Sequence, residues 1–192
     1  VMKSAIDKLE RARIIHRIVH TTGRGVPLGG EIKPEHFKTA FIDIGLSNRI
    51  CGLELTDISE LLTIREGSLA EQFTAQELAA SFEPFEDREL YYWIRQRKNA
   101  HAEVDYLISG KNRVIPIEIK AGTTGSLKSL HVFMASRNNS PFAVRFNRDF
   151  PSLDDVSHDI RIGNETITAR YKLLSLPLYM VCQIKRIVEE QL

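Results

Sequence analysis

The chain has 192 residues, of which 43% are apolar and 27% charged. That composition supplies a real core for one large domain and excludes a disordered chain. Lys and Arg number 26 against 25 Asp and Glu, so no overall positive field draws the chain to nucleic acid, and any such contact must come from a local patch. Cys51 and Cys182 are too few for a disulfide framework and form no CxxC pair, which points to a reducing cytoplasm. No apolar run is long enough to cross a bilayer and no signal peptide is recognisable, so no membrane partner is expected. The opening Val1-Met2-Lys3-Ser4-Ala5 already reads as helix, which suggests a piece cut from a longer protein.

Met2, Ala5, Ile6, Leu9, Ala12, Ile15, Ile18 and Val19 fall on one stripe and predict an amphipathic helix over residues 2–20. Gly23, Gly25, Pro27, Gly29 and Gly30 end it. A short strand is predicted at 37–43, a short helix at 45–52 and a helical stretch at 57–64. Gly67 and Ser68 then precede a longer helix at 69–83, which Pro84 closes. Three strands follow at 90–94, 103–109 and 113–120, then a helix at 126–136 and a strand at 142–146. Residues 160–162 and 166–168 suit a last hairpin around Gly163-Asn164, and 178–190 a terminal helix. The order helix, three strands, helix, strand is not the alternation of a doubly wound sheet. It predicts an α/β chain leaning towards α+β: an antiparallel meander continued by one right-handed crossover.

The informative stretch runs from Ala102-Glu103-Val104-Asp105-Tyr106 through Gly110-Lys111-Asn112-Arg113 to Ile115-Pro116-Ile117-Glu118-Ile119-Lys120. Both arms alternate, so Glu118 and Lys120 share a face and Ile117 and Ile119 share the other. A tight turn at Lys111-Asn112 pairs Ser109 with Val114 and, carried along, sets Asp105 opposite Glu118. In that register Pro116 falls at a non-hydrogen-bonded position facing Leu107, where its missing N–H costs the hairpin nothing. Two carboxylates about 5 Å apart repel unless a proton or a cation sits between them. Oxygen ligands suit Mg²⁺ or Mn²⁺, and Lys120 beside them is placed to orient a water or stabilise phosphorane-like charge. Glu71 joins as a fourth candidate, because it shares a helix face with Ala75, Leu78 and Phe82. The plain alternative is an ion-pair network at a strand end, with Glu71 as an acid at a helix N-terminus.

Asp105, a hairpin, Glu118-Ile119-Lys120 and Glu71 on the preceding helix resemble the PD-(D/E)xK nuclease superfamily. A wider similarity runs through Phe41-Ile42-Asp43-Ile44-Gly45-Leu46, Leu69-Ala70-Glu71-Gln72-Phe73, Tyr91-Tyr92-Trp93, the Asp105 run and the Glu118 run. Together they resemble the uncharacterised C-terminal domain of a bacterial and archaeal family of AAA-type ATPases. The resemblance implies a restriction-endonuclease-like mixed sheet flanked by helices over residues 36–192. Residues 1–35 would be a helical connector to an upstream ATPase domain that carries the nucleotide site. This chain has no G-x-x-x-x-G-K followed by Ser or Thr, so it is not expected to bind ATP itself. Val104 stands where the superfamily pattern has Pro, and no Gln-containing motif follows Lys120, which argues against processing of DNA ends.

The implied activity is Mg²⁺- or Mn²⁺-dependent phosphodiester hydrolysis. Asp105, Glu118 and the backbone carbonyl of Ile119 would hold the metal, Lys120 would assist the water and Glu71 would support the site. The second reading is an inactive module of the same architecture, serving nucleic-acid or protein recognition or self-association. Arg95, Arg97 and Lys98 beside Trp93 suit a nucleic-acid strand through phosphate contacts and stacking. The plain reading there is a solvated loop and a core aromatic. His16 and His20 stand four apart with no third ligand, so no zinc is expected.

Overall fold

A computed structural model describes residues 2–50, 52, 58–83, 85–86, 89–97, 100–120, 126–137, 140, 142–163 and 165–191, with the backbone only at 2, 58–66, 97 and 100. Among them the strands β1 (Ile15–Thr21), β2 (Ile32–Phe41), β3 (Leu90–Arg97), β4 (Ala100–Gly110), β5 (Arg113–Ile119), β6 (Phe142–Asn147), β7 (Ser152–Ile162) and β8 (Glu165–Pro177) form one mixed sheet. Their spatial order is β2-β1-β3-β4-β5-β6-β8-β7. The helices are α1 (Met2–Arg11), α2 (Ile44–Ile50), α3 (Ile58–Ala80), α4 (Lys128–Ala135) and α5 (Ile184–Gln191), with a 3₁₀ segment Leu178–Gln183 leading into α5. No helix among the described residues is long and apolar enough to cross a membrane.

The chain is therefore α+β, with helices on both faces of the sheet. Ala75, Leu78 and Ala79 of α3 and Ile184 and Val188 of α5 pack against Tyr92, Tyr106, Ile115, Ile117 and Phe146. On the other face, Leu130, Phe133 and Met134 of α4 pack against Trp93, Val104, Leu107, Val114 and Ala143. β5 is buried from Val114 to Ile119, and a strand covered on both sides explains its nearly continuous apolar run. The predicted meander is β3, β4 and β5, antiparallel in sequence order. α4 then returns the chain to β6, parallel to β5.

The first element departs from expectation. The helix stops at Arg11, Arg13 takes a left-handed φ of 56°, and residues 15–21, within the segment read as a helical connector, form β1. This strand lies inside the sheet, antiparallel to β2 and parallel to β3. Ile15, Ile18, Val19 and Thr21 are β-branched and favour a strand. Pairing on both edges outweighs an apolar spacing that fits a helix equally well. The two helices read at 57–64 and 69–83 are one, α3. Gly67 and Ser68 lie inside it, since a glycine within a helix costs only about 1 kcal/mol and α3 recovers more by packing. The hairpin around Gly163 is present but much longer than expected, from Ser152 paired with Ser175 to Ile162 paired with Glu165. β7 is an edge strand whose Asp154, Asp155 and Asp159 are exposed. Edge charges deter further pairing, and they hide the strand from a reading that looks for apolar alternation.

Candidate active site

The β4–β5 hairpin has the expected two-residue turn. Lys111 and Asn112 both take positive φ, 42° and 62°, as a primed turn requires. Ser109 pairs with Val114, Leu107 with Pro116 and Tyr106 with Ile117, so Asp105 and Glu118 are the next residues along their strands. One feature of β4 lay outside the sequence reading. Against β3, Tyr91 pairs with Leu107 but Trp93 pairs with Val104. Asp105 and Tyr106 together therefore oppose Tyr92, which is a β-bulge. A bulge re-aims side chains and is common beside active sites. It breaks the simple alternation, and Val104 and Leu107 both join the α4 side of the core.

The bulged Asp105 does not sit as an ordinary cross-strand neighbour of Glu118. Its Oδ2 accepts the N–H of Ile119 at 2.8 Å, beyond the last ladder pair. Burial raises the Asp105 carboxyl above its ordinary value, while the Ile119 N–H, Lys38 and Lys120 draw it back. Glu118 is 4% exposed. Its Oε1 receives the Lys120 ammonium at 2.6 Å, and its Oε2 is buried with no hydrogen-bond partner among the described residues. Arg145 stands beside Glu118 in β6 but donates from Nη2 to Ser175 Oγ at 2.8 Å. Burial first, then the charge of Asp105, pushes the Glu118 carboxyl up to about 7 against the pull of Lys120.

Glu71 approaches from α3. Burial and the charge of Asp105 raise its carboxyl, and Lys38 lowers it. The Tyr106 hydroxyl, on the bulge, donates to the Glu71 carbonyl at 2.8 Å, which ties α3 to β4 at this point. Lys38 of β2 is a site residue that the sequence analysis missed. Its Nζ lies 3.1 Å from Glu103 and 3.8 Å from Glu71, and 5.2 Å from the ring centres of both Tyr92 and Tyr106. The signal for it was thin: Lys38 stands two residues before Ala40 and so shares its inward face. Gln72 of α3 fixes β2 here. Its side-chain amide takes the Phe41 N–H at 2.9 Å and gives to the Phe41 carbonyl at 2.6 Å, as a neighbouring strand would.

Trp93 does not belong to a nucleic-acid surface. It is 3% exposed and packs edge-to-face on Phe133 with ring centres 5.2 Å apart, so it offers no face to a base. Tyr91 and Tyr92 are buried as well. Arg95 is half-buried and lines a cavity away from the carboxylates. The Arg97 side chain and Lys98 lie outside the described residues.

Among the described residues no three His, Cys, Asp or Glu side chains converge as a ligand set. A metal would rest on Asp105, Glu118 and backbone or water oxygens. That donor set fits Mg²⁺, which takes one or two carboxylates and keeps several waters. The Glu118 Oε2, buried with no hydrogen-bond partner among the described residues, agrees with it; burial also raises both carboxyls above their ordinary values. The Ile119 N–H faces β4, and in an extended strand the carbonyl of the same residue faces the same way.

No curated protein and no solved structure matches this chain. A family model, "Domain of unknown function (DUF4143)", matches residues 66–164, just over half of the sequence. The match spans Glu71, the β4–β5 hairpin and Lys120. Such domains typically stand at the C-terminus of AAA-ATPase-like proteins. The chain thus belongs to the DUF4143 family.

Proposed function

We propose that this domain is a metal-dependent phosphodiester hydrolase of the PD-(D/E)xK kind, working beside an upstream ATPase domain of the same protein. The observation that carries the reading is Glu118: a buried carboxylate with one oxygen on Lys120, the other without a hydrogen-bond partner among the described residues, and the charge of Asp105 nearby. Asp105, Glu118 and the Ile119 carbonyl would hold Mg²⁺ or Mn²⁺. When bound, the cation supplies Lewis-acid polarisation of the phosphate and offsets its charge. Lys120 stands at the same spot, where it orients a water and stabilises charge on the phosphate oxygens. Glu71 and Lys38 position the site by holding α3 and β2 against the bulge.

The test is cleavage of single- and double-stranded DNA and RNA by the purified chain with Mg²⁺ or Mn²⁺. Glu118→Ala should abolish cleavage, and activity that survives the change is contamination. Calorimetry supplies the second readout: Mn²⁺ binds the parent chain and is lost on Asp105→Asn. If neither binding nor cleavage occurs, the domain serves as a recognition or self-association module.

A further inference from the structure

We infer that Arg24, Arg95 and Arg137 form a receptor for a phosphate group, apart from the carboxylate site. They line a cavity of about 450 Å³ between the loop after β1, the end of β3, the end of α4 and the tip of the β7–β8 hairpin. The volume lies in the range of small-ligand sites. Lys33 also lines it, and no Asp or Glu does among the described residues.

Arg137 is the anchored member. Its Nη2 donates to the Thr22 carbonyl at 2.7 Å and its Nη1 to the Ser136 carbonyl at 2.9 Å. These bonds fix the guanidinium plane, yet the buried Nε has no hydrogen-bond partner among the described residues. Burial, then the charges of Arg24 and Arg95, disfavours the charged form of Arg137. Glu31 opposes that repulsion from outside the lining, where Thr22 Oγ1 donates to its carboxylate. Like charges gathered around one cavity favour an anion there. Guanidinium forks match phosphate oxygens in charge and geometry. Ile162 and Ile167 add apolar lining, which suits the esterified side of a phosphate monoester. The ester is either a small phosphorylated molecule or the 5′ end of a nucleic-acid strand, and both present the same group.

Titration calorimetry of the full chain with inorganic phosphate, at constant ionic strength with chloride as the reference anion, tests the receptor. Saturable one-site binding is expected, weakened at least tenfold in Arg24→Gln and in Arg95→Gln. Arg24 is exposed, so its variant keeps the fold whatever happens at Arg95. Asp105→Asn should bind phosphate as the parent does, which separates this receptor from the hydrolase reading. Absence of saturable binding, or binding in either Arg variant as tight as in the parent, overturns the proposal. A short 5′-phosphorylated single-stranded DNA then decides the source. Tighter binding than its unphosphorylated twin and than free phosphate points to a strand end, and binding no tighter than free phosphate points to a small phosphoester.

Discussion

Glu118, one residue before the end of a buried strand, is an acid whose surroundings oppose its charge. Its carboxyl titrates near 7 in the folded chain against an ordinary value of 4.5. The folded state therefore holds the proton more tightly than the unfolded one. The stability that this group contributes is complete below about pH 4.5 and is lost as pH rises through 7. Glu118→Gln removes that titration and keeps an acceptor for Lys120. In EDTA at pH 8 the linkage makes the variant more stable than the parent by about 1–3 kcal/mol, with the gap closing towards pH 4.5. Urea melts across pH measure this. A variant less stable at pH 8 would make Glu118 and Lys120 a structural ion pair and remove the electrostatic basis of the proposed site. Glu118 and Lys120 were legible because charge interrupts a run of Ile and Val. Lys38 was not, because nothing nearby in sequence marks the carboxylates that it meets.

At the scale of elements, the β4–β5 hairpin concentrates what the site needs. Its turn puts Lys111 and Asn112 in left-handed backbone, which costs a residue with a Cβ roughly 1 kcal/mol. The double change Lys111→Asn with Asn112→Gly suits a primed turn and should raise stability by about 1 kcal/mol without altering the register. Thermal or urea unfolding checks the first part, and cross-strand NMR contacts between Ser109 and Val114 check the second. The register was derivable from turn length and from Pro116, which tolerates only certain ladder positions. The bulge was not, because a bulge answers to a neighbouring strand: Val104 and Leu107 both reach the α4 face only because β4 gains one residue against β3. As a result, the ladder stops at Tyr106 and Ile117, and Asp105 is not the directly opposed partner of Glu118 that the hairpin register implied. It reaches for the Ile119 N–H instead of standing as a plain cross-strand partner.

Across the whole molecule, the sheet needs β1. Ile18 is 2% exposed and belongs to the core cluster of α3 and α5, and β1 joins β2, with Lys38, to the rest of the sheet. Ile18→Ala should cost about 2–5 kcal/mol, and a denaturant melt reads it directly. A change of less than 1 kcal/mol would make residues 15–21 a dispensable appendage.

The amino-acid sequence by itself determined the meander, the hairpin register, the crossover helix and the pairing of Glu118 with Lys120 on one face. Each of these follows from local periodicity or turn chemistry, which neighbours along the chain decide. Only the tertiary structure decided that residues 15–21 are a strand, that Asp105 sits on a bulge, that Lys38 joins the acids and that Trp93 is core. Those outcomes depend on which strands and helices become neighbours in space, and burial and edge pairing over long chain separations settle that choice.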